Sequence, residues 1–196
     1  MNKKIILSII IIALVVFLLF LFLQNYKNNN SVPLGIQIPT TITANAANPD
    51  VSIIAPDGKT NLTMKTVVDN NSIIYTFTTN NLIYTKTTTK DDIFAIPFNS
   101  WSPDNKYVFL KETSGNTTSF LLLNSSGVPF KDGSQYINIG DLFTQKLNNY
   151  KLDDITGWAA GTLLVLNTNK IDGEKGPSFW FDLTSSTFIQ LSNRFN

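Results

Sequence analysis

The chain has 196 residues, of which 12% are aromatic and 15% are charged, and its 15 Lys and Arg residues nearly balance its 14 Asp and Glu residues. Because no basic excess is available to hold phosphates, we expect no nucleic acid partner. The sequence contains no His and no Cys, which excludes Ser-His-Asp and Cys-His nucleophile systems and thiolate zinc sites. We therefore expect no enzymatic activity, no metal and no cofactor.

Residues 5–23 form an apolar run that only Ser8 and Ala13 interrupt. At 1.5 Å per helical residue its 19 positions reach about 28 Å, close to the thickness of the hydrocarbon core of a bilayer. The run is too long for the apolar region of a cleaved signal peptide, and a small-residue cleavage pattern occurs only at residues 44–46. The pattern predicts one transmembrane helix at residues 5–23, retained as a signal anchor, with a cleaved signal peptide as the weaker alternative.

Basic residues on the two sides of this run predict its orientation. Lys3 and Lys4 precede the run, and Lys27 is the only basic residue that follows it closely. Since positive residues stay on the cytoplasmic side, we expect a cytoplasmic tip at residues 1–4 and an extracytoplasmic location for everything beyond the span. The predicted location is the cell membrane, crossed once.

Residues 24–50 differ sharply from the apolar run, because they are rich in Asn, Thr and Pro and contain few large apolar side chains. Pro33, Pro39 and Pro49 interrupt helices and central strands alike. Too little apolar surface is present to offset the entropy cost of ordering this backbone. The segment is predicted to be a disordered stalk that holds an extracytoplasmic domain, residues 51–196, away from the membrane.

A sequence pattern repeats within this domain. Residues 54–59, Ile-Ala-Pro-Asp-Gly-Lys, match residues 101–106, Trp-Ser-Pro-Asp-Asn-Lys, at a spacing of 47, and residues 158–162, Trp-Ala-Ala-Gly-Thr, follow 57 positions later. Pro-Asp-Gly and Pro-Asp-Asn are typical of tight turns, and apolar runs that suit strands follow each copy. Units of about four short antiparallel strands, repeated about every 40 to 60 residues, are the sequence form of β-propeller blades. We therefore predict an all-β domain of about three propeller-like antiparallel blades.

The turn motif resembles the Trp-Ser-Pro-Asp-Gly blade motif of TolB-type β-propellers, which also occurs in the propeller domains of dipeptidyl-peptidase IV-like and prolyl oligopeptidase-like proteins. The matching positions are Pro56, Asp57, Gly58, Trp101, Pro103, Asp104 and Trp158. The middle copy matches best, the first copy has Ile54 in place of the Trp, and the third copy lacks the Pro and the Asp. The resemblance implies propeller blades and a role in protein interaction.

Propellers close a ring of about four to eight blades, whereas three units cannot close one. The units therefore form a small open or sandwich-like β assembly, complete a ring with another chain such as a second copy, or belong to a fragment of a larger gene product. An ordinary antiparallel β-sandwich whose turns contain Pro-Asp is the alternative fold.

Two adjacent pairs of carboxylates, Asp91 with Asp92 and Asp153 with Asp154, are the candidates for acid-base chemistry or calcium binding. Neighbours along a strand point to opposite faces, so an adjacent pair rarely converges on one atom. Each pair also precedes an apolar strand, where solvated loop acids are common. We interpret both pairs as solvated loop acids and assign no catalytic residue.

Three Trp residues have two interpretations. Trp101, Trp158 and Trp180 either form a surface that binds carbohydrate or peptide or pack in the core, and a Trp that recurs at one blade position favours the core. Trp180 has a Phe on either side in its strand, so it is expected to point to the opposite face from them. A ligand site is expected on loops between the units, such as residues 111–119 and 167–177.

These observations predict a single-pass membrane protein whose extracytoplasmic β domain recognises a protein or a cell-envelope component without catalysis. One alternative is an envelope hydrolase, or an accessory fragment of one, that uses carboxylates alone. Another is a structural surface subunit that assembles into rings as a homo-oligomer.

Overall fold

The computed structural model of the protein describes residues 50–192 and residue 194. The predicted cytoplasmic tip (residues 1–4), the transmembrane helix (residues 5–23) and the stalk (residues 24–50, of which only Asp50 is described) lie outside this part of the chain. Within the described residues, no helix has the length and apolar character that a membrane crossing requires.

The described chain folds into three antiparallel sheets, each with four strands that follow one another in chain order. The first sheet contains β1 (Val51–Ile54), β2 (Asn61–Asp69), β3 (Ser72–Thr78) and β4 (Leu82–Thr89). The second sheet contains β5 (Asp92–Ala95), β6 (Tyr107–Ser114), β7 (Thr117–Asn124) and β8 (Tyr136–Asn138). A short helix, α1 (Ile139–Lys146), leads to the third sheet, which contains β9 (Tyr150–Ala160), β10 (Leu163–Lys170), β11 (Lys175–Asp182) and β12 (Thr187–Gln190). The prediction of an all-β domain is confirmed.

The second sheet is covered by apolar side chains on both of its faces. Successive side chains of a strand point to opposite faces, and the unbroken apolar runs of β6 and β7 supply both faces. In β6, Val108 and Leu110 belong to the core between the first and second sheets, which we call the first core. Phe109 belongs to the second core, between the second and third sheets, together with Leu122, its partner in register on β7. All four side chains are fully buried, so the middle sheet holds the outer two together.

The first core joins β3 and β4 to the second sheet through aromatic rings and one ion pair. Tyr75 and Phe77 meet Phe94 of β5 with ring centroids 5.1 and 5.4 Å apart, respectively. At the edge of this core, Lys86 forms an ion pair with Glu112 of β6 and lies 5.6 Å above the Phe94 ring. The Glu112 side chain is only 11% exposed, so the ion pair compensates a charge that would be costly to bury alone.

Helix α1 packs against the second core. Its N-terminus is capped by Asn138, whose side-chain oxygen accepts hydrogen bonds from the backbone N–H groups of Gly140 (3.1 Å) and Asp141 (3.3 Å). Phe143 is fully buried and packs edge-on against Phe179 of β11, with ring centroids 5.6 Å apart. The capped helix thus contributes an aromatic side chain to the core that joins the second and third sheets.

The outer faces of the first and third sheets differ. On the outer face of the first sheet, cross-strand neighbours carry mostly hydroxyl groups, from Ser52, Thr63, Ser72, Thr76, Thr78, Thr85, Thr87 and Thr89. On the third sheet, Trp180 lies in register with Val165 and Ile189, on the face opposite the second core. The Phe on each side of Trp180 belongs to that core, so the predicted alternation around Trp180 is confirmed.

Candidate functional site

The copies of the turn motif occupy the same place in the three sheets. Residues 55–60 connect β1 to β2, residues 96–106 connect β5 to β6, and residues 161–162 connect β9 to β10. Each copy therefore lies at or next to the connection between the first two strands of its sheet. Because neighbouring strands are antiparallel, the connection between the third and fourth strands lies at the same end of each sheet. We call this the motif end of the domain.

The first two copies make the same turn. Pro56 and Pro103 occupy the first corner, where their restricted φ is suited to a β-turn. Gly58 and Asn105 close the turns with positive φ angles of 70° and 60°, and the N–H of each donates to the carbonyl three residues earlier at 2.9 Å. Gly and Asn tolerate this left-handed conformation best, which explains why they alternate at this motif position. Asp57 accepts a further hydrogen bond from the backbone N–H two residues on, at 2.9 Å.

The motif Trp residues join each sheet to the sheet before it. The indole N–H of Trp101 donates to the carbonyl of Ile53 at 3.2 Å, and that of Trp158 donates to the carbonyl of Ser100 at 3.1 Å. Both acceptors directly precede a copy of the motif. The same kind of contact, which we call a joint, therefore connects both pairs of neighbouring sheets. Trp101 belongs to the first core and Trp158 packs against the second core, which confirms the core interpretation of these two residues. Ile54, in the Trp position of the first copy, is 59% exposed.

The carboxylate of Asp104 is held within its own turn. It accepts a hydrogen bond from the Ser102 hydroxyl at 2.7 Å and lies 3.2 Å from the ammonium of Lys106. Burial alone would raise the pKa of Asp104, but these hydrogen bonds and the Lys106 charge outweigh it, so the pKa lies below its ordinary value. Gly161 of the third sheet lies so close that a Cβ there would be 3.0 Å from the carboxylate. Asp104 therefore positions the second turn against the third.

The solvated-loop interpretation of Asp153 and Asp154 is wrong, because both residues lie within β9 and each forms its own ion pairs. Asp153 lies 2.6 Å from the guanidinium of Arg194 and 3.5 Å from the ammonium of Lys175, whereas Asp154 lies 3.6 Å from Lys111. Burial opposes ionisation of Asp153, but its hydrogen bonds and these charges outweigh burial, and its pKa lies below the ordinary value. The two carboxylates thus stabilise different contacts.

The pair Asp91 and Asp92 lies at the connection from β4 to β5. Asp91 is exposed, and Asp92 begins β5 in register with Ser114. The backbone carbonyl of Asp92 accepts a hydrogen bond from the Tyr75 hydroxyl at 3.3 Å, which ties this connection to the first sheet. Among the residues that the structure describes, no group of three or more acidic side chains is placed to share a metal ion.

A cleft of about 710 Å³ opens at the motif end between the second and third sheets. The β7–β8 loop (residues 125–135) forms one wall, and the β11–β12 turn (residues 183–186) forms the other. The lining residues are Tyr107, Asn124, Ser126, Val128, Pro129, Phe130, Lys131, Asp132, Ile137, Leu183, Thr184 and Ser186.

Aromatic rings form the apolar part of this cleft. The rings of Tyr107 and Phe130 are almost parallel, at an interplanar angle of 4° with centroids 6.4 Å apart. Tyr107 also stacks with Trp158, at an interplanar angle of 19° with centroids 6.3 Å apart. Tyr107 and Phe130 line the cleft, and Trp158 continues the aromatic row beyond the lining. The row therefore links the candidate site to the joint between the second and third sheets.

Polar side chains form the rim of the cleft. Lys131 and Asp132 lie side by side in the β7–β8 loop, and Ser126 and Thr184 contribute hydroxyl groups from the two walls. Hydrogen bonds from the hydroxyl and the backbone N–H of Ser134 hold the pKa of Asp132 below its ordinary value, so its carboxylate is charged at neutral pH. The rim thus offers one cation, one anion and neutral hydroxyl groups.

The sequence analysis did not identify this cleft. The loops it favoured, residues 111–119 and 167–177, contain the β6–β7 and β10–β11 hairpins, which lie at the opposite end of the sheets from the motif end. The available signal was Val-Pro-Phe-Lys-Asp at residues 128–132, where an aromatic residue and two charges follow a Pro within a polar loop. Aromatic residues in such loops often bind ligands, because loops on a sheet scaffold carry function more often than strands do.

Known proteins give no independent guide to the role of the cleft. In comparisons with known proteins, no family model, no curated protein and no solved structure matches this chain. The resemblance to TolB-type propellers therefore depends on the motif residues themselves, and a functional interpretation depends on the chemistry of the cleft.

Proposed function

We propose that the protein is a single-pass, membrane-anchored module that recognises a protein or a cell-envelope component outside the membrane, without catalysis. The observation that carries this proposal is the cleft between the β7–β8 loop and the β11–β12 turn, where an aromatic floor meets a polar rim. Binding residues commonly lie on loops at one end of a rigid scaffold. The cleft volume of about 710 Å³ also lies within the range of about 300 to 1,000 Å³ typical of ligand sites.

The proposal includes three propeller-like blades. Each sheet is a four-stranded meander, as a blade is, and the motif Trp of one sheet bonds the preceding sheet in the same way at both joints. The blades form an open row rather than part of a ring. The hydroxyl-rich outer face of the first sheet supports an open row.

The contacts of the carboxylates favour recognition over hydrolysis. The carboxylate of Asp153 is held by Arg194 and Lys175, and that of Asp104 by Ser102 within its turn. Both have lowered pKa values, which suits a charged structural partner and opposes a role as general acid.

The location outside the membrane is testable because the chain contains no Cys. We expect the full-length variant Thr87→Cys to react with a membrane-impermeant maleimide on intact cells, since Thr87 is exposed on the first sheet. The matched variant Asn2→Cys, in the predicted cytoplasmic tip, should react only after the cells are permeabilised. The opposite pattern would overturn the proposed orientation.

The recognition role is tested with a photo-crosslinker attached to single Cys variants of the full-length protein in its native membrane. Val128→Cys in the cleft lining should yield a reproducible adduct with one component, and Thr87→Cys on the far face of the first sheet should not. Adding Phe130→Ala to Val128→Cys should abolish the adduct while the melting temperature confirms that the protein is folded. Equal adducts from both positions, or an adduct that does not depend on Phe130, would contradict binding in the cleft.

A further inference from the structure

We propose that the ligand of this cleft is a neutral, pyranose-containing glycan, an inference that rests on the proposed recognition function. Its first support is the aromatic row, in which Tyr107 stacks with both Phe130 and Trp158 at centroid distances of 6.4 and 6.3 Å, and from which Tyr107 and Phe130 line the cleft. A pyranose ring has an apolar face of C–H bonds with hydroxyl groups around its edge. Such a face packs on an aromatic ring, while the hydroxyl groups require polar partners around the ring.

The rim provides those polar partners. One carboxylate oxygen of Asp132 accepts hydrogen bonds from Ser134, and among the described residues no group hydrogen-bonds the Lys131 ammonium or the Tyr107 hydroxyl. A sugar hydroxyl both donates and accepts hydrogen bonds, so it can use a carboxylate and an ammonium at once. The side chains of Ser126 and Thr184 add two hydroxyl groups at the walls.

The charges of the lining select a neutral ligand. Lys131 and Asp132 are adjacent and are the only charged side chains among the residues that line the cleft. Their charges compensate one another, so a phosphate or a polyanionic glycan would gain no net attraction. A neutral glycan carries no net charge, so the compensated charges do not weaken its binding.

Backbone contacts in the cleft walls argue against a peptide ligand. Peptides are commonly recognised through main-chain hydrogen bonds to an open strand edge. In the walls, the N–H and the carbonyl of Phe130 bond Ser134 and Gly133, and the N–H of Leu183 donates to the Thr162 carbonyl. These backbone groups of the two walls are already paired, so the polar side chains of the rim are left for recognition, as suits a ligand covered in hydroxyl groups.

The test is isothermal titration of the purified full-length protein with cellotetraose, maltotetraose and chitotetraose. A proline decapeptide and an oligogalacturonate are the peptide and anionic comparisons. We expect at least one neutral tetrasaccharide to bind, Phe130→Ala to weaken it about tenfold or more, and Phe130→Trp to retain it. The control Thr87→Ala should bind as the wild type does.

The outcomes separate this inference from the proposed function. If none of the three saccharides binds, or if binding is unaffected by Phe130→Ala, the glycan inference is wrong. Binding of the decapeptide or of oligogalacturonate alone would likewise overturn it. A Phe130-dependent adduct from Val128→Cys would then still support recognition in the cleft, whereas the loss of both results would overturn the two proposals together.

Discussion

The junction between the first and second sheets resembles the junction between the second and third sheets. Only the junction between the second and third sheets, however, has a wide cleft. At the first junction Trp101 bonds the carbonyl of Ile53, and at the second junction Trp158 bonds that of Ser100. At the motif end, however, the first junction has a cleft of about 310 Å³ that is lined mainly by Asn, Thr, Ser and Asp side chains. The cleft at the second junction has about 710 Å³ and an aromatic floor.

The β7–β8 loop explains much of this difference. Near its start, the carbonyl of Ser125 accepts a hydrogen bond from the Thr79 hydroxyl at 2.6 Å, and near its end Gln135 donates to the carbonyl of Ile83 at 2.8 Å. Both ends of the loop are therefore held against the first sheet, while its middle, residues 126–132, lines the cleft towards the third sheet. The repeated residues thus build the joints, and a loop outside the repeat builds the candidate site.

The largest expected effects come from adjacent core residues of β6 that report on different junctions. Phe109→Ala should destabilise the second junction, and the protein, by about 3 to 5 kcal/mol, and Leu110→Ala should destabilise the first by about 2 to 5 kcal/mol. Both side chains are fully buried, so each substitution leaves a cavity in one core only. Urea unfolding monitored by far-UV circular dichroism measures both changes.

Glycan titration of these two variants sharpens the comparison further. Phe109→Ala should weaken binding in the cleft, because Phe109 packs near Trp158 with ring centroids 6.4 Å apart. Leu110→Ala should leave binding intact in the folded fraction. If Leu110→Ala weakened glycan binding as strongly as Phe109→Ala does, the first junction would also contribute to binding in the cleft.

A smaller effect is expected from Gly127, at the point where the β7–β8 loop crosses the first sheet. Gly127 has φ of 79°, and a Cβ at this position would lie 2.6 Å from the carbonyl oxygen of Leu82. Gly127→Ala should lower the free energy of unfolding by about 2 to 3 kcal/mol, because the strain of an Ala in the left-handed conformation adds to this clash. Gly133→Ala is the matched control in the same loop: its φ is 84° but nothing lies within 4 Å of the added Cβ, so it should cost about 1 kcal/mol. If thermal melts showed equal destabilisation by Gly127→Ala and Gly133→Ala, the backbone of the loop would not be in close contact with the first sheet at Gly127.

The turns and the strand alternation could be predicted from the sequence, whereas the joints between the sheets and the cleft could not. Pro-Asp-Gly and Pro-Asp-Asn determine a turn locally, and strand alternation around Trp180 follows from a period of two, so short-range rules suffice. The cleft depends on residues 126–132 approaching residues 183–186 across a sheet boundary, which no local rule describes. Asp57 and Asp104 were recognised as part of a repeat, but the hydrogen bond from the Asp57 N–H to the Asn105 side chain and the closeness of Asp104 to Gly161 appear only in three dimensions.

Helix α1 was also absent from the sequence analysis, although its signal was present. Asn138 is a favourable N-cap, and Ile139, Leu142 and Phe143 recur at helical spacing after it. The surrounding strand-like repeat masked this short helical pattern. Its eight residues give too few turns for periodicity alone to identify it.

The same substitution at either Trp joint should lower the free energy of unfolding, by less than the Gly127 change does. Trp101→Phe and Trp158→Phe each remove one indole hydrogen bond, which we expect to cost about 1 kcal/mol. Trp101 is the more buried of the two, so Trp101→Phe should be the more destabilising. The double variant should show nearly additive losses in urea unfolding, because the two residues lie at different junctions. A strongly non-additive result would mean that the joints are coupled through the middle sheet.

The smallest expected effect is the pH dependence of Asp104, in the turn at the second junction. Its folded pKa is lowered, so its contribution to stability is fully present above the ordinary Asp pKa of about 3.9 and is lost as the pH falls through the folded value. Asp104→Asn should therefore be less stable than the wild type near pH 7, and the difference should shrink as the pH falls below about 4. Thermal melts between pH 2.5 and pH 7 measure it, with Thr87→Ala as the control that should follow the wild type throughout. A constant difference across this range would mean that Asp104 acts through shape rather than charge, and its Asn variant would then hold the second turn against Gly161 equally well at every pH.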